Sequence, residues 1–230
     1  GETIDVVVQT TKTGLVFVLD RDTGAPVIPI EERAVPQGGA PGEALSPTQP
    51  FPAAPPPLVP NRVDPKDAFG ITWFDKRACA KAIRSLRAEG LYTPPTEQGT
   101  LFLPFTGGGG NWGGPAFDPA RNLLVVNMSN LAHRIQLIPA ADVERINELH
   151  HDSEVSPQEG APFGMRRDVL ISPLGLPCTP PPWGVLAAVD LSDGRIVWRR
   201  TLGTTEELAS GLALPLGTPT LGGPAITAGG

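Results

Sequence analysis

Short apolar runs alternate with polar turns along the chain. Ile4 to Val8 is rich in β-branched residues, and Leu15 to Leu19 (Leu-Val-Phe-Val-Leu) forms a second run, with Lys12-Thr13-Gly14 between them. That pattern predicts a hairpin. Asp20-Arg21-Asp22-Thr23-Gly24 reads as the next turn, where Gly24 is free to take positive φ. A third strand, from about Ala25 to Ile30, contains Pro26 and Pro29 and is expected to be an edge or irregular strand. Further short strands are expected at Thr100 to Leu103, Leu123 to Asn127, Val185 to Val189 and Ile196 to Arg200. The helical period shows best from Asp75 to Glu89. Cys79, Ile83 and Leu86 share one face there, Lys76, Lys81, Arg84 and Arg87 supply the polar side, and Gly90 serves as the stop. A shorter helix is expected from Ala140 to about His150.

Residues 34–69 break this rhythm. Ten prolines there leave little room for a helix or a central strand, which predicts a long, partly polyproline II insertion. Phe51, Leu58, Val59 and Phe69 are spaced through it. An excursion carrying such residues is expected to cover an edge of a larger body.

Composition narrows the class. The chain has 230 residues, 27 of them glycine and 28 proline, but 40% are hydrophobic and only 18% charged, so it can bury a core and is not a disordered tract. A net charge of −6 argues against a binder of nucleic-acid backbones, which carries a basic stripe. No apolar run is long enough to cross a membrane, and no leader peptide is visible. Cys79 and Cys178 lie too far apart in sequence for a paired-cysteine zinc motif. Two buried thiols and a long-range disulfide both remain open.

One pattern recurs. Val16-Phe17-Val18-Leu19-Asp20 closing on Gly24 and Leu186-Ala187-Ala188-Val189-Asp190 closing on Gly194 are each an apolar strand, an Asp, a turn and a further strand. Pro115-Ala116-Phe117-Asp118 to Asn122, leading into Leu123 to Asn127, is a weaker third copy. Trp198 follows the turn of the second copy where the first has Ile28. Repeated strand–turn–strand units with glycine and aromatic punctuation are the mark of propeller blades.

The Asp-x-x-(Thr/Asp)-Gly-x-x-x-Trp unit resembles the tryptophan-docking repeat of quinoprotein dehydrogenases, eight-bladed propellers that hold pyrroloquinoline quinone (PQQ). Several blocks resemble the membrane-bound quinoprotein glucose dehydrogenase group in particular. They are Thr11 to Gly14 with Phe17 to Arg21, Pro47 to Phe51, Tyr92 to Leu101, Trp112 to Gly114, Ser172 to Cys178 and Gly217 to Pro224. The resemblance implies an all-β fold: about three blades of an eight-bladed propeller, with long Pro-rich insertions and one or two short helices. Residues 1–230 would form one segment of a single propeller domain, with 34–69 an insertion inside it.

By resemblance, Lys12 contacts the cofactor. It sits in a strand–strand turn, where its ammonium can face the quinone oxygens and stabilise charge that develops on reduction. Without the resemblance it reads as a solvated turn lysine. Asn127 matches a cofactor-contacting asparagine and otherwise reads as a strand-end residue. The run Gly107 to Gly110 lacks the Lys-Ser/Thr of a phosphate loop, so Asn111 and Trp112 are read as backbone and an apolar face beside a flat cofactor. Some relatives carry Glu where this chain has Asn111. Trp183 either faces the axis or packs at a blade start. His133, His150 and His151 form no metal motif, and the His150-His151 pair reads as a solvated helix end. Spacing assigns no general acid, Glu97 included.

The implied activity is oxidation of an aldose, D-glucose, to gluconolactone, with PQQ as cofactor, Ca²⁺ or Mg²⁺ beside it and ubiquinone as acceptor. The catalytic base, the cation ligands and a stacking Trp are expected upstream, so no catalytic or metal residue is assigned here. The implied partners are the remaining blades, the sugar and ubiquinone, at the periplasmic face of a bacterial inner membrane. A non-catalytic propeller that scaffolds partner proteins is the rival reading, since fold alone does not fix function. Such a scaffold has no need for both Lys12 and Asn127.

Overall fold

The computed structural model describes residues 3–206 and 214–228. Within them twelve strands pair antiparallel into two four-stranded sheets and two ribbons. β1 (Val6–Thr10) and β2 (Val16–Asp20) form the expected hairpin, and Gly14 turns at φ +78°. β3 (Ile30–Ala34) pairs with β4 (Thr48–Pro52) in a second ribbon. The strand expected over 25–30 therefore starts only at Ile30, beyond both prolines, with a single bridge from Leu19 to Pro26 before it.

Residues 34–69 are built into the body. β4 carries Pro50 and Pro52 within a two-stranded ribbon, an arrangement that spares them the donor role a central strand demands. Leu58 and Val59 are buried against Val16 and Val126. Phe51 packs edge-on to Tyr92 at 5.7 Å, and Phe69 edge-on to Trp183 at 5.4 Å.

α1 (Trp73–Arg84) begins where Thr72 accepts the Asp75 N–H on its hydroxyl. It ends earlier than the sequence period predicts, because Arg87 leaves the helix to pair with residues 99–101. Its N–H donates to Gly99 O and its carbonyl accepts from Leu101. The buried face of α1 carries Cys79 and Ile83, and Cys79 is disulfide-bonded to Cys178. Of the two alternatives for the cysteines, the disulfide holds. Asp75, fully buried, reinforces the same junction by accepting backbone N–H groups from Ile71 and Leu174.

One four-stranded sheet comprises β5 (Thr100–Phe102), β8 (His133–Pro139), β10 (Phe163–Val169) and β9 (Glu154–Ser156), in that spatial order. The other runs β12 (Ile196–Thr201), β11 (Gly184–Asp190), β7 (Leu123–Ser129) and β6 (Ala116–Asp118). The chain leaves the second sheet after β7, builds most of the first, and returns as β11 beside β7. α2 (Val143–Leu149) follows a short 3₁₀ turn over Ala140–Asp142, so the helix expected from Ala140 is present in two parts.

The three sequence copies share one turn. Asp20, Asp118 and Asp190 each accept backbone N–H groups from the residues two positions on, and Asp20 and Asp118 also from the third. Gly24 and Gly194 then close their turns at φ +73° and +72°, and Asn122 takes the same role at +52°. Thr23 hydrogen bonds hold the Asp20 carboxyl below the usual range; the Arg121 side chain does so for Asp118, and the Ser192 N–H for Asp190. The copies also touch: a Cβ on Gly194 would meet Ala54 Cβ at 2.7 Å and Ile28 Cδ1 at 3.1 Å. Trp198 is half-buried on β12, opposite Ala188.

Candidate functional site

The β1–β2 turn is fixed by Thr11. Its backbone N–H and its hydroxyl both donate to Leu15 O, the hydroxyl also accepts the Leu15 N–H, and its carbonyl accepts the Gly14 N–H. Lys12 is left projecting from this rigid turn. The glycine run lies directly against it. Gly109 donates to Lys12 O at 2.7 Å and Gly110 to Thr11 O at 3.3 Å. A Cβ on Gly108 would stand 2.7 Å from Lys12 Cγ, and one on Gly110 3.2 Å from Thr11 O. The run is therefore glycine because backbone packs on backbone here.

From Gly110 the chain turns outward. Asn111 donates from its amide to Gly107 O, accepts the Trp112 N–H on Oδ1 and accepts the Gly114 N–H on its carbonyl. Its side chain thus shapes the turn that presents Trp112, which is 92% exposed. Lys12, Gly110, Asn111 and Trp112 line an open cleft of about 540 Å³ together with Gln9 to Thr11. Lys12 also borders a second, largely apolar cleft of about 500 Å³ that reaches Tyr92, Phe102 and the insertion.

Asn127 stands behind this wall. Both donor contacts of its amide go to the chain itself, to Thr220 Oγ1 at 2.6 Å and Gly222 O at 2.7 Å. Gly223 follows, lying so close to Gly113 that a Cβ on Gly113 would fall 2.0 Å from Gly223 N. Asn127 thereby pins the 220–223 segment under the Trp112 turn. Replacing it with Ala leaves two acceptors without a donor; we expect a loss of about 1–3 kcal/mol in urea unfolding of the chain.

Trp183 lies elsewhere. It is 1% exposed, its indole N–H donates to Thr179 O at 2.8 Å, and its ring meets Phe69. The blade-start packing alternative describes where this ring sits. His151 is exposed and His150 half-buried at the end of α2. No cluster of three or more metal-ligating side chains occurs among the described residues.

Sequence reasoning missed a polar network beneath Lys12. The Lys12 ammonium donates to Thr106 O at 3.3 Å. The Thr106 hydroxyl lies 2.9 Å from His133 Nδ1 and accepts from Arg167 Nη1 at 2.9 Å. Arg167 is ion-paired with Glu154, and His133 meets the Phe105 ring edge-on at 5.0 Å. Residues so far apart in sequence carry no shared motif; only β8–β10 pairing brings 133 and 167 together. Burial, aided by the Arg167 charge, pushes the His133 pKa down to about 4. Burial also raises the Tyr92 phenol.

That shift sets a pH prediction. Above the unfolded-state value of about 6.5 His133 is neutral in both states. As pH falls from there toward 4, the unfolded chain takes up a proton that the folded chain refuses, so stability declines. In His133→Gln this part of the decline should vanish. Urea midpoints from pH 7 to 4, compared between wild type and variant, measure it; parallel curves would exclude His133 as the cause.

The chain matches the family model "PQQ: Glucose/ethanol/alcohol dehydrogenase, beta-propeller domain" over residues 1–230. It is 36% identical to the quinoprotein glucose dehydrogenase of Escherichia coli (strain K12), and 38% identical to quinoprotein glucose dehydrogenase A of Acinetobacter calcoaceticus. A quinate/shikimate dehydrogenase (quinone) of Acinetobacter baylyi (strain ATCC 33305 / BD413 / ADP1) is 35% identical. Each match covers 100% of this chain but only 30% of the relative. A family match along the whole length, over antiparallel sheets joined by a repeated Asp–Gly turn, identifies the fold as part of a β-propeller: the chain belongs to the PQQ-dependent glucose/ethanol/alcohol dehydrogenase family.

Proposed function

We propose that this chain supplies one wall of the cofactor site in a PQQ-dependent dehydrogenase that oxidises an aldose, D-glucose, to gluconolactone. The observation that carries this reading is the convergence of Lys12, Asn111 and Trp112 on one cleft. A flat, polyanionic quinone suits that donor set: an ammonium for its oxygens, an exposed indole face for its ring, and glycine backbone that permits close approach. When bound, PQQ supplies the two-electron acceptor.

The chain's own residues hold and orient. Lys12 places fixed positive charge at the quinone oxygens, where it costs no reorganisation during reaction. Asn111 sets the angle of Trp112. Asn127 stiffens the wall from behind by holding the 220–223 segment. Trp183 acts through packing beneath the 216–218 segment, whose Leu216 O accepts its backbone N–H. The catalytic base and the ligands for Ca²⁺ or Mg²⁺ belong to other blades, ubiquinone takes the electrons onward, and the site faces the periplasm at the inner membrane.

The sugar is the finer point, because relatives are named for quinate or shikimate as well as for glucose. Titrating PQQ with Ca²⁺ present, and following quenching of the four tryptophans, tests the wall directly. Saturable binding weakened in Lys12→Ala is the expected result. Absence of saturation in the complete enzyme as well as in this chain would overturn the reading in favour of a scaffold. Comparing glucose, quinate and glycerol as substrates of the complete enzyme tests the sugar assignment.

A further inference from the structure

We infer that His133, acting through Thr106, is a positioning residue for Lys12. The inference rests on the proposed role of Lys12 for its functional meaning, but its geometry stands on the chain alone. Lys12 is exposed, and an exposed lysine ordinarily samples many rotamers. Here both parts of the side chain meet one short turn, residues 105–108. The stem passes Gly108, where a Cβ would collide with Cγ, and the ammonium donates to Thr106 O. Whatever fixes that turn fixes Lys12.

Four contacts fix it. The Phe105 N–H donates to Leu131 O at 2.7 Å, Gly108 closes the turn by donating to Phe105 O at 2.8 Å, and the Asn111 amide donates to Gly107 O. The fourth is the Thr106 hydroxyl. Arg167 is always a donor, so toward Arg167 the hydroxyl oxygen is the acceptor. The hydroxyl keeps one hydrogen and a second lone pair for His133 Nδ1, 2.9 Å away, and so bonds to that nitrogen whichever tautomer the ring adopts. The low His133 pKa keeps the ring neutral at pH 7. His133 is itself held: it is 7% exposed, sits at the start of β8 opposite Phe102 and Val169, and stacks edge-on with Phe105. Arg167 is held by Glu154. The Thr106 side chain therefore bridges the rigid β8–β10 sheet to the turn that carries the lysine contact.

The test uses the complete dehydrogenase and needs no cofactor for its first arm. His133→Leu removes the hydrogen-bond partner of the Thr106 hydroxyl, whereas His133→Asn offers an amide group close to the former Nδ1 position. Acylation of Lys12 by acetic anhydride in the cofactor-free protein, read by mass spectrometry, should speed up about threefold or more in His133→Leu and stay near wild type in His133→Asn. Thr106→Val keeps the carbonyl but loses the hydroxyl bridge; it should match His133→Leu and serves if that variant does not fold. Unchanged labelling in both folded variants overturns the inference.

The second arm is a double-mutant cycle on kcat of the PQQ-loaded enzyme. His133→Leu should lower kcat about tenfold in wild type and leave it almost unchanged when Lys12 is already Ala. An equal loss in both backgrounds means a merely structural role and also overturns the inference. Altered labelling with no change in kcat upholds the positioning and removes Lys12 from the cofactor wall instead.

Discussion

Replacing both cysteines, Cys79→Ala with Cys178→Ala, should lower the stability of the chain by about 2–5 kcal/mol. The bond joins residues 99 apart, so it closes a long loop, for which the chain-entropy view gives about 4–5 kcal/mol. Both side chains are also buried, at 1% and 0% exposure, and their loss leaves space between α1 and the segment before Cys178. Asp75 bonds across the same junction to Leu174 N, yet one such contact is worth far less than the crosslink. Urea unfolding followed by tryptophan fluorescence reads the effect, with an expected fall in midpoint of about 1–2 M for a slope typical of this size. An unchanged midpoint would show that the native packing holds α1 in place without the bond. Persistence of a disulfide also fits an oxidising compartment, as the proposed periplasmic face requires.

Much of the fold was legible because its signals are local. The hairpin at 6–20 rests on two β-branched runs and one Lys-Thr-Gly turn, and the structure keeps all three. The Asp-to-Gly turn was legible as a repeat, and hydrogen bonding to Asp20 and Asp190 gives it a cause. What escaped was non-local. β8 and β10 pair along seven positions; Arg134-Ile135-Gln136-Leu137 alternates as a strand does, but the run Arg166-Arg167-Asp168 gives its partner no such signal. The end of α1 was misread because Leu86 kept the helical period while the Arg87 backbone found a better partner in Gly99 and Leu101.

The site divides the same way. Lys12 and Trp112 entered the candidate site through the family resemblance, since a turn lysine alone reads as solvated; the structure brings both to one cleft. The Thr106–His133–Arg167 network could not be found by sequence, because each member is an ordinary polar residue until the sheet forms. Trp183 was ambiguous in sequence for a simple reason: an indole can pack or face a ligand equally well. Its burial and its N–H bond to Thr179 O place the ring in packing.

Lys12→Ala in the complete enzyme should lower kcat about 10²–10³-fold, the range for losing one preorganised charge-stabilising group. The KM for the substrate should change little, because the ammonium is proposed to face the cofactor oxygens and to act chiefly where negative charge grows. Lys12→Arg is not a conservative rescue. The head meets a single carbonyl, Thr106 O, at the edge of an open cleft, so a planar five-donor fork finds no matching set of acceptors and carries its charge elsewhere. It should recover less than a tenth of wild-type kcat. Steady-state kinetics with PQQ and Ca²⁺ at saturation separate the cases. A raised PQQ Kd with normal kcat at saturation would mean that Lys12 binds the cofactor uniformly and contributes nothing specific to its reduction. A fall in kcat with Kd changed only a few-fold is the signature of charge held in place before it is needed. That second pattern is the one expected of a lysine whose stem and head are both fixed by the turn at 105–108.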